Sequence, residues 1–475
     1  MNSADFLRSL GFCLSVFLAG SVQALDVGFG EVDITPKLGG KEKVWLAGYG
    51  TGREAAGIHD PLMARCVVLQ DGGKRIALVS VDLVGLQFPA VKKIRSQLPG
   101  FSYVLVSSTH NHEGPDVIGM WGRNQYSYGV NDAYVKEVTD RCVNLVKDTA
   151  ASVVEDVTVS YGTAEDASLL RDTRQPAALD AVLRVLVFSS KSGKKIGLLV
   201  QWNSHPEAMG SRNKLITADF PWATVGALKR KYQCPVAYFT GTVGGLMAPP
   251  AGPTTFAYTE KHGIQVAGLA ARAVEAARPL KLTPMRAEAR LLYLPVTNRL
   301  YRLGLSMGVL RRERFVSTGD PYRKGKLMSG KNSGENMTIE TEVACLQLGE
   351  LSLAAIPGEL YPELVYGKFQ EPADPAADFP NAPLEPTIRE ILGERKWMLF
   401  GLSNDEVGYL IPKRQWDRRK PYAYGREKAQ YGEANSCGPE AAMIVMKGFA
   451  RCAVREGPIE KRRQGGKAPE GNPAE

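Results

Sequence analysis

The chain has 475 residues, 44% hydrophobic and 23% charged, with a formal net charge of +9. That profile excludes a wholly disordered or fibrous chain and leaves ample length for a large core. The positive balance is compatible with peripheral contact with an anionic membrane. No basic–aromatic motif and no helix-turn-helix pattern accompanies it, so no nucleic-acid partner is expected.

The chain opens on a targeting pattern. Arg8 supplies a positive start, Leu10 to Gly20 is an apolar run, and Val22-Gln23-Ala24 is a small-x-small cleavage site. The run is too short to span a bilayer comfortably. Residues 1–24 are therefore expected to be a signal peptide, and the mature protein is expected to be secreted or periplasmic. Apolar, β-branched runs then alternate with helical patterns. Candidate strands are 75–83, 102–107, 182–188, 196–202 and 235–240, and candidate helices are 132–150, 221–231 and 258–277. Further on, 338–348 and 351–356 flank Gly349-Glu350 as a hairpin, followed by a strand at 397–402 and a helix at 438–450. Alternation of this kind predicts an α/β fold, with mixed β-sheets flanked by helices in a single large catalytic domain over 25–455. Segments 301–336 and 371–386 read as loops, the second because five prolines punctuate it. The polar, Gly/Pro-rich tail over 456–475 is expected to be disordered. The basic stretch from Arg302 to Lys331 reads as solvated loop.

Seven cysteines are present, one of them, Cys13, in the signal segment. No pair forms a C-x-x-C, so a thiolate zinc site is not expected. Export permits disulfides, and the other six are read as buried thiols with one or two bridges among them.

The five histidines carry most of the functional information: His59, His110, His112, His205 and His262. His110 and His112 follow directly on a candidate strand, and residues two apart in extended chain point to one side. His205 follows a second strand in Asn203-Ser204-His205-Pro206. Strand ends are where α/β folds place their chemistry, and neutral imidazole is a preferred Zn²⁺ ligand. Together these point to a metal site. His59 is read as lining the same pocket or serving its loop, and His262 as a surface residue of a polar helix.

Several motifs, in order, resemble the neutral/alkaline non-lysosomal ceramidase family. They are Asp26 to Gly30 with Asp33 to Pro36, Gly57 to Arg65, Ser108 to Pro115, Asn203 to Pro206, Ala355 to Glu359, Gly408 to Pro412 and Gln430 to Glu433. The segment Ser108 to Pro115 is similar to that family's T-H-T-H-S-G-P motif. The resemblance implies Zn²⁺ as cofactor, with His110, His205, Glu359 and Tyr431 as ligands and His112 and Arg174 as polar catalytic groups beside it. Such a ligand set would leave an open position for water, the mark of a catalytic zinc. It also implies hydrolysis of the amide bond of an N-acyl, ceramide-like lipid substrate.

Two departures stand out. Gly244 occupies the position of the family's reaction-centre serine in its G-D-V-S-P-N stretch. The chain also ends soon after the catalytic unit, so the family's C-terminal immunoglobulin-like domain is expected to be missing. Gly244 and Gly245 remain candidates to offer backbone N–H groups to an anionic intermediate. Two other readings stay open: a zinc hydrolase of an ester or phosphoester, and a non-catalytic lipid- or glycan-binding relative.

Overall fold

The computed structural model describes residues 25–329, 334, 336–367 and 372–453. The expected signal peptide and the expected disordered tail lie outside the described residues.

Three sheets make the framework, and each contains one parallel pair. The first runs Asp26–Asp33, Met63–Asp71, Lys74–Val81, Tyr103–Ser108, its last two strands parallel. The second runs Val236–Thr240, Lys195–Trp202, Val182–Ser189, Thr158–Glu165, Arg278–Pro279, its first two parallel. The third runs Met285–Pro295, Met337–Leu348, Leu351–Ala355, Lys396–Phe400, its last two parallel.

The central strands are buried on both faces, and alternate residues serve different cores. Val67, Leu69, Leu186, Phe188, Leu199, Phe239, Leu353 and Phe400 point inward, where the three sheets meet in one central core. The Phe239 and Phe400 rings stack there, 4.1 Å apart. The intervening residues face helices. Cys66 and Val68 meet a layer containing Phe88–Ser96 and Asp132–Ala151. Val185, Leu198 and Tyr238 meet Phe220–Tyr232 and Phe256–Glu275. Leu292 and Val343 meet Ala441–Ala453. This is the mixed-sheet α/β arrangement the sequence predicts.

The expected elements form within a few residues of their predicted ends. The hairpin turns on Gly349, whose φ of +53° lies in the left-handed region. The stretch from 301, expected to be loop, is not all loop. Arg299–Met307 is a helix, and Arg314–Val316 pairs with Met337–Leu348. Asn298 caps that helix by accepting from the Leu300 N–H, and Gly308 ends it at φ +76°. The density of arginine there hid an amphipathic pattern. The expected disulfides are also corrected. All six cysteines of the described chain are free and buried. His262 is not on the surface either. It is buried between helices with its ring edge-on to Phe220.

Candidate metal centre

The parallel pairs matter because their C-terminal ends converge. The Ser108 N–H donates to Leu402, Gly401 N–H donates to Thr240, and the Thr240 hydroxyl donates to Thr109. These bonds tie the ends of all three sheets together. His110 follows the first sheet's parallel strand, His205 the second's, and Glu359 the third's.

His110, His112 and His205 are all buried, and each offers a nitrogen within 4.8 Å of the others. The reason given for His110 and His112 needs correction. His110 is not extended but left-handed, at φ +65°, a conformation that a non-glycine residue holds only when its surroundings enforce it. The two rings meet nonetheless, with centroids 4.9 Å apart.

The ring orientations are fixed from behind. His110 Nδ1 lies 2.6 Å from the Val84 carbonyl, and His205 Nδ1 lies 2.7 Å from that of Met247. A carbonyl only accepts, so both Nδ1 atoms carry a proton and both rings turn Nε2 inward. Those nitrogens face Glu359 Oε2, at 3.4 Å from His110 and 3.0 Å from His205. Two imidazole nitrogens and a carboxylate oxygen sit this close only with a proton or a cation among them. Carbonyl-anchored imidazoles with inward Nε2 are also how metal-binding histidines are held. The donor set therefore fits a divalent transition metal.

Electrostatics follow the same geometry. Burial disfavours a charge on Glu359, but His110 and His205 overcome it and hold the carboxyl well below its usual range. Burial likewise lowers His110, yet Glu359 outweighs it and the net shift is upward. His112 goes the other way. Burial and then the neighbouring His110, His205 and Arg53 push it far down, so it is neutral. Its Nδ1 has no hydrogen-bond partner and lies 3.4 Å from Glu207 Oε2.

A cavity of about 600 Å³ opens over this cluster. Its walls are mainly apolar, including Val84, Ile118, Trp121, Leu246, Leu305 and Leu310. Glu207, Glu406, Tyr409 and Tyr431 also line it. Tyr431 stands at the rim, 55% exposed. Desolvation, then Glu359 and Glu207, push its hydroxyl up to about 12, so it is a neutral phenol.

Arg174 is not among the lining residues. Its guanidinium is buried, donates twice to Glu433 at 2.8 and 3.0 Å and once to the Gln415 carbonyl, and lies over the Tyr361 ring. Those contacts make it a support beneath the cavity floor rather than a polar group in it. Gly244 and Gly245 do not line the cavity either. A Cβ at Gly244 would fall 2.4 Å from Tyr361 and 2.5 Å from the Leu360 backbone. The family's serine therefore has no room here, and the backbone N–H groups of the two glycines are set aside as anion donors. His59 is also outside the cavity, stacked on Phe256 and paired with Asp60.

Sequence reading missed Arg53, Glu207 and Glu406. Arg53 donates to the carbonyls of Ala47 and His112 and to Glu113 Oε2 at 2.6 Å, which clamps the loop that bears His110 and His112. Glu406 accepts from the Gly408 N–H and leaves its second oxygen unpartnered. The only sequence hint for Glu207 was its place two residues after His205.

An α/β scaffold with three imidazoles and a carboxylate at converging strand ends, beneath an apolar cavity, defines a candidate catalytic metal protein. Comparison with known proteins is specific. Residues 25–227 match the family model for neutral/alkaline non-lysosomal ceramidase, N-terminal, which bears out the resemblance carried by the motifs. That segment holds all three clustered histidines, whereas Glu359 and Tyr431 lie beyond it. Two solved structures share the fold. A neutral ceramidase from Pseudomonas aeruginosa is 19% identical with a TM-score of 0.67, over 91% of this chain and 74% of that one. A ceramidase complexed with C2 is 18% identical with a TM-score of 0.67, over 91% of this chain and 75% of that one.

Proposed function

We propose that this protein is a ceramidase-like, zinc-dependent hydrolase that cleaves the amide bond of an N-acyl, ceramide-like substrate with water. One observation carries the reading: His110, His205 and Glu359 turn two imidazole nitrogens and a carboxylate oxygen to one point on the floor of an apolar cavity. The match to the ceramidase family model and the shared fold support it.

His110 and His205 would hold the metal through Nε2, together with Glu359. His112 and Tyr431 are the two candidates to complete the set. Zinc, when bound, supplies a Lewis acid that polarises a carbonyl and makes water acidic near neutral pH. The chain's own residues do the rest. The Val84 and Met247 carbonyls lock the two rings, so the inward nitrogens need no reorganisation. His112, neutral and with a free Nδ1 facing Glu207, is placed to take up a proton and pass it on. The Tyr431 hydroxyl, protonated at neutral pH, donates to a polar group of the substrate at the rim. The apolar walls seat an acyl chain and exclude bulk water. Export through the leader at 1–24, to a secreted or periplasmic location, belongs to the same proposal.

The phosphoester alternative is disfavoured by charge. Among the described residues lining the cavity, Arg312 is the sole arginine or lysine, and Asp405 neutralises it at 2.6 Å. The deciding experiment assays purified protein on matched amide and ester panels, before and after chelation. Amide cleavage that vanishes with chelator and returns with zinc supports the proposal. Undiminished turnover by metal-free protein, or cleavage of esters alone, overturns it.

A further inference from the structure

We propose that the helix Arg299–Met307 is an interfacial element that lays its outer face on an anionic phospholipid bilayer, beside the cavity that receives the substrate. This deepens the hydrolase reading by naming the surface that presents the substrate, and its test does not depend on turnover.

The helix is apolar on two sides. On the inner side Leu305 is buried, and both Tyr301 and Leu305 line the cavity. On the outer side Leu300, Leu303 and Met307 are 59%, 51% and 47% exposed. Spacings of three and four residues put these three on one stripe. A lone exposed leucine is ordinary, but a stripe of three on a nine-residue helix exposes apolar area that a soluble surface has no use for. A helix with side chains is only about 10 Å thick, so the stripe and the cavity are the two sides of one wall.

Charge selects the occupant. Residues 299–329 contain eight arginines and lysines against two acidic residues, Glu313 and Asp320, with Arg311 and Arg312 paired to Asp132 and Asp405. Arg299 and Arg302, on the helix itself, form no ion pair among the described residues. An apolar stripe flanked by unpaired arginines matches the boundary between acyl chains and anionic headgroups. A second copy of this chain is the poorer fit, because the net charge of +9 opposes bringing two such basic surfaces together.

The test floats the full chain with phosphatidylcholine vesicles, with and without phosphatidylglycerol. Wild type is expected to float with the phosphatidylglycerol vesicles. The double variant Leu300→Asp/Leu303→Glu and the double variant Arg299→Glu/Arg302→Glu are each expected to lose about tenfold or more in partitioning. Both should keep the wild-type circular dichroism spectrum and thermal midpoint, which shows that they fold. Equal flotation of the variants and wild type overturns the proposal. So does a wild type that ignores anionic vesicles, or a dimer in sedimentation that the leucine variant dissociates. If flotation behaves as expected but no amide is cleaved by wild type, the hydrolase reading fails while the membrane surface stands.

Discussion

The inner histidines show how single residues are committed to the centre. His110 adopts a backbone conformation costly for a β-carbon and donates its Nδ1–H to the Val84 carbonyl. Both features are spent on aiming one nitrogen. His110→Ala and His205→Ala should each abolish metal retention and activity, because a site that loses an anchored ligand is weak and misshapen. His112→Ala separates the two ways of completing the set. Metal content that survives while the rate falls about 10²–10⁴-fold places His112 in proton transfer. Metal content that falls with it makes His112 a ligand. Elemental analysis alongside kcat reads both. Gly48 acts on the same ring from outside. It sits at φ +90°, and a Cβ there would lie 2.3 Å from His112 Cγ. Gly48→Ala should therefore displace His112 and cost about 10²-fold in kcat, with metal content moving in the same direction as in His112→Ala, since a misplacement of about 1 Å has that effect.

Among the elements, loops and helices reach the site through buried polar contacts that local pattern does not reveal. Arg53 lies in a loop with no motif character, yet it brackets the His110–His112 loop through Glu113, with both side chains buried. The helix Phe256–Glu275 contributes the most direct pH dependence. Burial lowers His262 to about 4, and its Nε2 has no partner. Below pH 6.5 the unfolded chain takes up a proton on this residue that the folded chain refuses until about pH 4. Stability should therefore fall as pH drops through that window, by up to about 3 kcal/mol from this group alone. His262→Leu should remove that component. Urea midpoints at pH 7 and pH 4.5 for both proteins measure it: the drop between the two should be smaller in the variant.

At the scale of the whole molecule, the centre is the place where three sheets close on one another. Each sheet supplies a ligand candidate from the end of a parallel strand, so a bound ion would bridge segments more than 200 residues apart in sequence, from His110 to Glu359. Binding that requires all three sheets in place favours the folded state by mass action. Zinc at 100 times its Kd should raise the unfolding free energy of metal-free protein by about 2.7 kcal/mol. Thermal or urea unfolding across a zinc titration checks this, and an unchanged midpoint would mean that the centre does not hold the ion in the folded chain.

Sequence by itself determined the strand-helix alternation, the hairpin at Gly349, and the two strand-end loops bearing His110, His112 and His205. These follow from local rules: apolar runs, turn residues, and histidines placed just past strand ends. Glu359 and Tyr431 came only from motif resemblance, since a lone Glu after Pro357-Gly358 has no local signature of a ligand. Tertiary structure alone decided the rest. It turned Arg174 away onto Glu433, closed the Gly244 position with Tyr361, buried His262 and left all six described cysteines unpaired. It also brought Glu207 beside His112 and turned Leu300 and Leu303 outward. Each of these depends on which distant segment fills the space around a side chain. That is a property of how the three sheets pack, and no periodicity along the chain encodes it.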